Sequence, residues 1–421
     1  MTIGHLGRTV AACLAFSASL AAQGPTPQKQ PLTFPILAAA PGNPQSPALD
    51  GVVSFGPAVP LAALAFSPDG KTLAVGGYQE VLLWDLANAT LAKRIGVGQI
   101  GDVVRAVAFR NNGLWLAVAE GTPYGAGAVK VFDVASGQPA LAFAEPHDAV
   151  FAASFSPDGR LLAAGGADNV ARVWSVDENK LVAELKGHSD WILGASFSAD
   201  GKFLVTSSSD RTAQVWDVGT WQSVARLEQL EPVYGAVFGP NAELVAAAVA
   251  GPTDRMIRLR RRDNTQLARA IDLGVPGPLG VAWAPAGDRL YVPLTDKTVR
   301  VYDPNTGGHV ATLAGHADWV YGVALTPDGA TLASASADGT VKLWRTGENR
   351  LLATLVQVTP RTDDWLIVAA SGYLAASSPG VIQWRAANLA TPPEQIHALV
   401  QNADLVKKSL AGETLPPPVV P

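Results

Sequence analysis

One phrase recurs seven times along this chain and limits what the chain can fold into. It reads "AFSPDG" at 65–70, "AFRNNG" at 108–113, "SFSPDG" at 154–159 and "SFSADG" at 196–201. It continues as "VFGPNA" at 237–242, "AWAPAG" at 282–287 and "ALTPDG" at 324–329. Its second residues are Phe66, Phe109, Phe155, Phe197, Phe238, Trp283 and Leu325, so the successive gaps are 43, 46, 42, 41, 45 and 42 residues. A period near 43 means that each unit is one small supersecondary element. Such an element cannot bury its faces alone and must stack on its neighbours.

The fourth unit shows the local code. The apolar run "WILGASFS" ends at the turn signal "ADG"; "FLVTSSS" follows, then the turn "DRT", then "AQVWDV" and "WQSVARLEQ". Four short strands joined by tight turns predict an antiparallel meander. Meanders stacked radially around a channel make an all-β fold, the β-propeller. Composition agrees: charged residues are 16%, with 41 Gly and 31 Pro, which suits many short strands and turns. A formal net charge of −5 argues against general nucleic-acid binding.

The third strands are "VLLWDL" (81–86), "VKVFDV" (129–134), "ARVWSV" (171–176), "AQVWDV" (213–218), "IRLRRR" (257–262), "VRVYDP" (299–304) and "VKLWRT" (341–346). With "GH" and Asp ahead of them, they resemble the WD-repeat family across residues 61–355, the second and fifth units being badly eroded. The resemblance implies hydrogen-bonded structural tetrads of histidine, hydroxyl, aspartate and tryptophan. His188, Thr206, Asp210 and Trp216 fit that pattern, as do His316, Ser334, Asp338 and Trp344. A third set, His147, Asp168 and Trp174, has Ala164 in place of the hydroxyl.

The pentapeptide "GHSDW" (187–191) also contains the three residue types of a hydrolase triad. However, adjacent residues on an extended strand point to opposite sides. The sister copy has Ala317 in place of Ser189, and the chain carries no "GxSxG" elbow. No catalytic, metal or cofactor residue is assigned, and the chain reads as a non-enzyme.

After the seventh unit, Asp363 to Arg385 repeats an Asp-Trp start, a turn at Gly372 and a closing Trp384. It resembles a segment that follows the repeats in many bacterial members. We expect seven full four-stranded blades plus a short eighth, closed by an N-terminal strand in "DGVVSFG" (50–56), the propeller thus spanning 50–390. Seven blades with this segment packed outside is the open alternative. Residues 391–412 carry apolar residues at the spacing of one or two short helices, and 413–421 form a Pro-rich tail.

Residues 1–22 read as a signal peptide: Arg8 precedes the apolar run "VAACLAFSASLAA", and small residues close it. Residues 23–49 read as a disordered linker. Cys13 is the sole cysteine, so a cleaved chain has no disulfide or thiolate site. The expectation is an exported bacterial protein, periplasmic or extracellular, monomeric, and not inserted in the membrane after cleavage.

Four residues before the repeat's aromatic position stand Ala62, Arg105, Phe151, Leu193, Tyr234, Leu279 and Tyr321; six before it stand Trp191 and Trp319. The WD-repeat resemblance places such residues at a partner-binding rim, and Trp, Tyr and Arg dominate binding hot spots. Arg105, Phe151, Trp191, Tyr234, Trp319 and Tyr321 are the candidate contacts; core packing is the alternative. The basic run Arg255 to Arg262 puts Arg258, Arg260 and Arg262 on one strand face, either an anion site or a solvated face. The functional expectation is a non-catalytic scaffold binding a protein or peptide. The alternative is a propeller enzyme, or a binder of small ligands or polysaccharide, using the channel.

Overall fold

The computed structural model describes residues 30–35, 50–55, 60–143, 148–274, 277–378, 383–385 and 393–418. Seven blades follow one another at 64–95, 104–143, 150–186, 192–228, 233–272, 282–314 and 320–357. Each contains four consecutive antiparallel strands, here lettered a to d from the axis outward. The repeated phrase forms each a–b turn. In the first blade the Ser67 hydroxyl donates to Asp69 at 2.6 Å and accepts the Thr72 N–H at 2.9 Å. Gly70 follows at φ +71, a conformation that glycine adopts without a Cβ penalty.

The core is divided among the seams. Seven buried apolar clusters each draw on two adjacent blades, so no blade has an interior of its own. Strands b are accordingly buried on both faces, as in Leu244–Ala250. The outermost strands alternate, as in Ser223–Glu228, where only Ala225 and Leu227 are buried. Alternation on the outer strand is the mark of a sheet edge with one wet side.

Strands a of successive blades touch all the way round, and Val320–Leu325 of the seventh meets Leu64–Phe66 of the first. The ring therefore closes at seven. The expected eighth blade is corrected on this point: Trp365–Ala369 pairs with the outer strand Arg350–Gln357, and Leu374–Ala376 pairs with Trp365–Ala369. The segment widens the seventh sheet to six strands. Its Trp365 ring meets the Trp84 ring edge-on at 6.2 Å, across the seam with the first blade.

The N-terminal strand is corrected too. Asp50–Phe55 does not close a blade; it pairs with Gln30–Pro35 and Gln383–Arg385 in a separate three-stranded sheet. Gln30–Pro35 lies inside the span expected to be linker. Closure uses a buried ionic knot instead. The Glu80 carboxylate, on the first blade, accepts from Arg94 Nε at 2.7 Å, Gln357 Nε2 at 2.9 Å and the Arg361 N–H at 2.9 Å. Arg94 also reaches Asp363 at 3.2 Å. In addition, the Leu61 N–H donates to the Ser336 carbonyl at 3.2 Å.

Two helices, Pro393–Val400 and Ala403–Leu410, follow. Asn402 caps the second by accepting the Leu405 N–H at 3.1 Å, a preferred N-cap arrangement. Val406 is buried against the seventh blade, and Ser409 donates to the Leu352 carbonyl at 2.9 Å. Among the described residues no helix is long and apolar enough to cross a membrane. The signal segment expected at 1–22 lies outside the described residues.

Candidate functional site

Two tetrads are assembled by atoms whose roles can be assigned in order. The Trp216 Nε1–H can only donate, and it donates to Thr206 Oγ1 at 2.9 Å. The Thr206 hydroxyl proton then goes to His188 Nε2, 2.8 Å away. That fixes the Nδ1–H tautomer, which donates to Asp210 Oδ2 at 2.9 Å. The seventh blade repeats the chain: Trp344 to Ser334 at 2.9 Å, Ser334 to His316 at 2.8 Å, His316 to Asp338 at 3.0 Å. Burial pushes the Asp338 carboxyl up, but hydrogen bonds from His316, Ala317 N–H and Thr340 outweigh it and bring it to about 2. Burial pushes Asp210 up likewise, and bonds from His188 and Thr212 hold it well below the usual carboxylate range. Burial also pushes His316 down, against Asp338, and keeps it neutral.

Both nitrogens of His188 are thus committed to Asp210 and Thr206. Ser189 is exposed, and its backbone N–H points at Asp210 Oδ2, 3.1 Å away. The "GHSDW" letters do not make a nucleophile and base.

Other blades settle the acid of the b–c turn by a second route. Arg172 pairs with Asp168 at 2.5 Å and Arg300 with Asp296 at 3.2 Å; Arg258 pairs with Asp254. In each, the cation stands four residues on, inside strand c. In the second blade Lys130 pairs with Glu120. His147 lies outside the described residues. Trp174 stacks on Phe143 at 4.9 Å, and Ala164 sits opposite Arg172. In the first blade Val75 takes the hydroxyl's position, two residues past the strand partner of Trp84, and the buried Trp84 Nε1 has no hydrogen-bond partner. An unpaired buried donor costs about 1–3 kcal/mol.

These pairings also dispose of the basic run. Arg258 is held by Asp254 and Gln229, and Arg260 by the carbonyls of Thr265 and Glu228 at 2.9 and 3.3 Å. The Arg262 guanidinium lies 4.0 Å above the Phe203 ring. Their common face lies against the fourth blade instead of facing solvent.

The rim residues have a shared backbone cause. In five blades the a–b register skips one residue of strand a, and the residues skipped are Arg105, Phe151, Leu193, Tyr234 and Tyr321. These are β-bulges, which re-aim a side chain. Their side chains converge from successive blades. Tyr234, Leu279 and Ala250 form one cluster with Leu193, Trp319 and Tyr321, drawn from the fourth to the seventh blades. Arg105 lies 6.0 Å from the Phe151 ring and donates to the Gly121 carbonyl at 3.1 Å. Burial pushes its guanidinium down from the ordinary value, against Asp102 and Tyr321.

Trp191 sits 5.5 Å from Phe151 and 6.1 Å from Tyr124. Tyr124 is 86% exposed, at φ +66, and its N–H donates to Asp148 at 2.8 Å. It was not among the sequence candidates. The signal for it was the 46-residue gap: the second blade's b–c loop runs from Thr122 to Ala126 and carries the extra residues. Arg105, Phe151, Trp191 and Tyr124 make one stretch of the mouth; Tyr234, Leu279, Trp319 and Tyr321 make the other.

Comparison with known proteins agrees with this geometry. The family model "WD domain, G-beta repeat" matches residues 54–85, 138–175, 179–217 and 307–345. The matches end on strands c of the first, third, fourth and seventh blades. "Nuclear distribution protein PAC1" of Arthroderma otae is 44% identical over 68 residues, 16% of this chain and 15% of that protein. "Cross-pathway control WD-repeat protein 2" of Flammulina velutipes is 32% identical over 126 residues, 28% of this chain and 38% of that protein. "WD repeat-containing protein VIP3" of Arabidopsis thaliana is 32% identical over 135 residues, 32% of this chain and 41% of that protein. The chain spans less than half the length of each of these relatives, which are eukaryotic.

Proposed function

We propose, from the premise that this chain is a WD-repeat β-propeller, that it is a non-catalytic scaffold whose partner is a protein or peptide. The partner binds across the mouth formed by Arg105, Phe151, Trp191, Tyr234, Trp319 and Tyr321. The observation that carries this is the convergence of bulge residues from different blades on one opening. Core packing alone does not require six large side chains at one end of a channel, with Tyr124 86% exposed beside them. Large aromatic anchors beside an arginine are the residue types that concentrate binding energy. The rings of His188 and His316 are used up in the tetrads.

The channel alternative has less support: the pocket at the strands a of the fourth to seventh blades is lined by no charged side chain.

Export to a bacterial envelope is the finer part of the proposal. It rests on the run Val10 to Ala22 behind Arg8, and on the resemblance of Asp363 to Arg385 to a segment of bacterial members. Sequencing the N-terminus of the mature protein from its native host tests it: a start near residue 23 supports export, and Met1 or Thr2 refutes it.

The scaffold reading is tested by Trp191→Ala, Tyr234→Ala and Trp319→Ala together, with proximity labelling in the native host. Loss of a specific labelled partner, with the thermal melt retained, is expected. An unchanged labelling profile would remove the rim from the function.

A further inference from the structure

We infer that the mouth receives one neutral aromatic side chain of the partner, in a pocket lined by the inner strands of the fourth to seventh blades. The inference rests on the scaffold reading above and adds the chemistry of the anchor.

Size selects the occupant first. The pocket holds about 190 Å³. An apolar protein cavity of about 150 Å³ is enough to bind benzene. The pocket therefore has room for one ring.

Polarity selects next. No side chain lining the pocket carries a charge. Its lining includes Gly194, Gly235 and Gly322 from strands a of the fourth, fifth and seventh blades, and Gly280 just ahead of strand a of the sixth. The corresponding positions of the first three blades hold Ala63, Ala106 and Ala152. An ammonium or carboxylate entering here would lose hydration with no opposite charge in the lining to replace it, which is costly. Arg105, the charged residue at the mouth, is not among the lining residues.

One glycine points to use rather than packing. A Cβ at Gly194 would come within 2.5 Å of Ser207 Oγ, and one at Gly322 within 2.5 Å of the Ala62 carbonyl. Those two are demanded by the fold. Gly280 is different: its φ lies outside the left-handed region, and the nearest atom to an added Cβ is Pro293 Cγ at 3.7 Å. A side chain would be tolerated by its surroundings, and Pro293 itself lines the pocket. What the glycine leaves is open space. Above it stand Tyr234, Leu279, Leu193, Trp319 and Tyr321, a collar that can meet an inserted ring edge-on or offset, the favoured aromatic geometries.

The test uses the full chain and three probes: N-acetyl-phenylalanine amide, N-acetyl-lysine amide and N-acetyl-glutamate amide, followed by saturation-transfer NMR. Transfer to the phenylalanine probe alone is expected, with at least a fivefold loss in Gly280→Val and in Tyr321→Ala. Melts at the wild-type temperature establish that each variant is folded, and Tyr321→Ala decides if Gly280→Val is not. Equal transfer to the lysine or glutamate probe, or full retention in a folded variant, overturns the inference. Peptides selected from a random display library on the immobilised protein separate this from the scaffold reading. Peptides that need Trp191, lack any aromatic requirement and bind Gly280→Val as well as wild type overturn the pocket and leave the scaffold. A library that yields no rim-dependent peptide overturns both.

Discussion

Thr206 offers the sharpest test of how the blades are held. Its hydroxyl accepts from Trp216 and donates to His188, and all three side chains are buried. Thr206→Val keeps the shape and removes that one oxygen. Two buried groups, the indole N–H and His188 Nε2, lose their partners at about 1–3 kcal/mol each. The added methyl returns up to about 0.8 kcal/mol of burial. The net expectation is a loss of about 1–5 kcal/mol. Guanidinium unfolding should show it as a lower midpoint, and hydrogen exchange should show faster opening of Thr212–Asp217. Ser223→Ala, which removes an exposed hydroxyl from the same blade, is the control and should stay within about 0.5 kcal/mol. Thr206→Ser should keep most of the stability, because it keeps the oxygen. A cycle with Trp216→Phe should show coupling of at least about 0.5 kcal/mol, since the two residues share a bond. A Thr206→Val protein that unfolds like Ser223→Ala would refute the argument that the hydrogen-bond chain holds the blade.

Stability should also fall with acid in a defined order. Asp338 sits at about 2 when folded, against an ordinary 3.8. Its contribution is therefore complete above about pH 4 and is lost as pH falls toward 2, roughly 2 kcal/mol in all. Asp210 is depressed too and acts in the same sense. Burial lowers His316, so its contribution is present above about pH 6.5 and declines below it. Melting temperatures should be flat above that pH and fall in two stages, the lower stage shallower in Asp338→Asn; a single stage unaffected by that change would contradict the assignment. At the ring seam, Glu80→Gln removes the negative charge and one of the two acceptor oxygens shared among Arg94, Gln357 and Arg361. Losing one partner of a buried ion pair typically costs about 3–5 kcal/mol. Hydrogen exchange should rise at residues 357–365 before it rises in the fourth blade, and uniform exchange would locate closure elsewhere.

Much of this architecture was legible because it is local. The turn phrase fixes where each strand a ends, and counting back from it found the bulge residues, although nothing in the letters says that a bulge will turn them into the mouth. The Asp and His spacings found both complete tetrads. Asp363 to Arg385 misled because an Asp-Trp start and a glycine turn describe any antiparallel strands. Whether those strands form a new blade or widen an old one depends on Val320–Leu325 meeting Leu64–Phe66. That contact joins residues some 250 positions apart in sequence, and no local pattern carries it. The arginines of the fifth blade misled for a similar reason. Alternation gave them one face, but their partners Gln229, Glu228 and Phe203 lie in or beside the preceding blade.

The direct closure of the ring has a consequence for how the chain reaches this state. Among the described residues no blade takes a strand from the other end of the chain, so each blade is built from consecutive residues. Each can form its meander as soon as its own stretch of about 40 residues has been synthesised, and dock on the blade before it. Contacts local in sequence form fast, and domains tend to assemble in the order of synthesis. The steps left over join the two ends: the meeting of the first and seventh blades, and the pairing of Asp50–Phe55 with Gln383–Arg385. The entropy of bringing chain ends together grows only slowly with the length between them. By the time Gln357 and Arg361 exist to meet Glu80, the intervening blades have already curved the chain and narrowed that search. The residues that tie the knot are then among the last of the ring to be made, and an incomplete chain remains an open arc with its first seam bare.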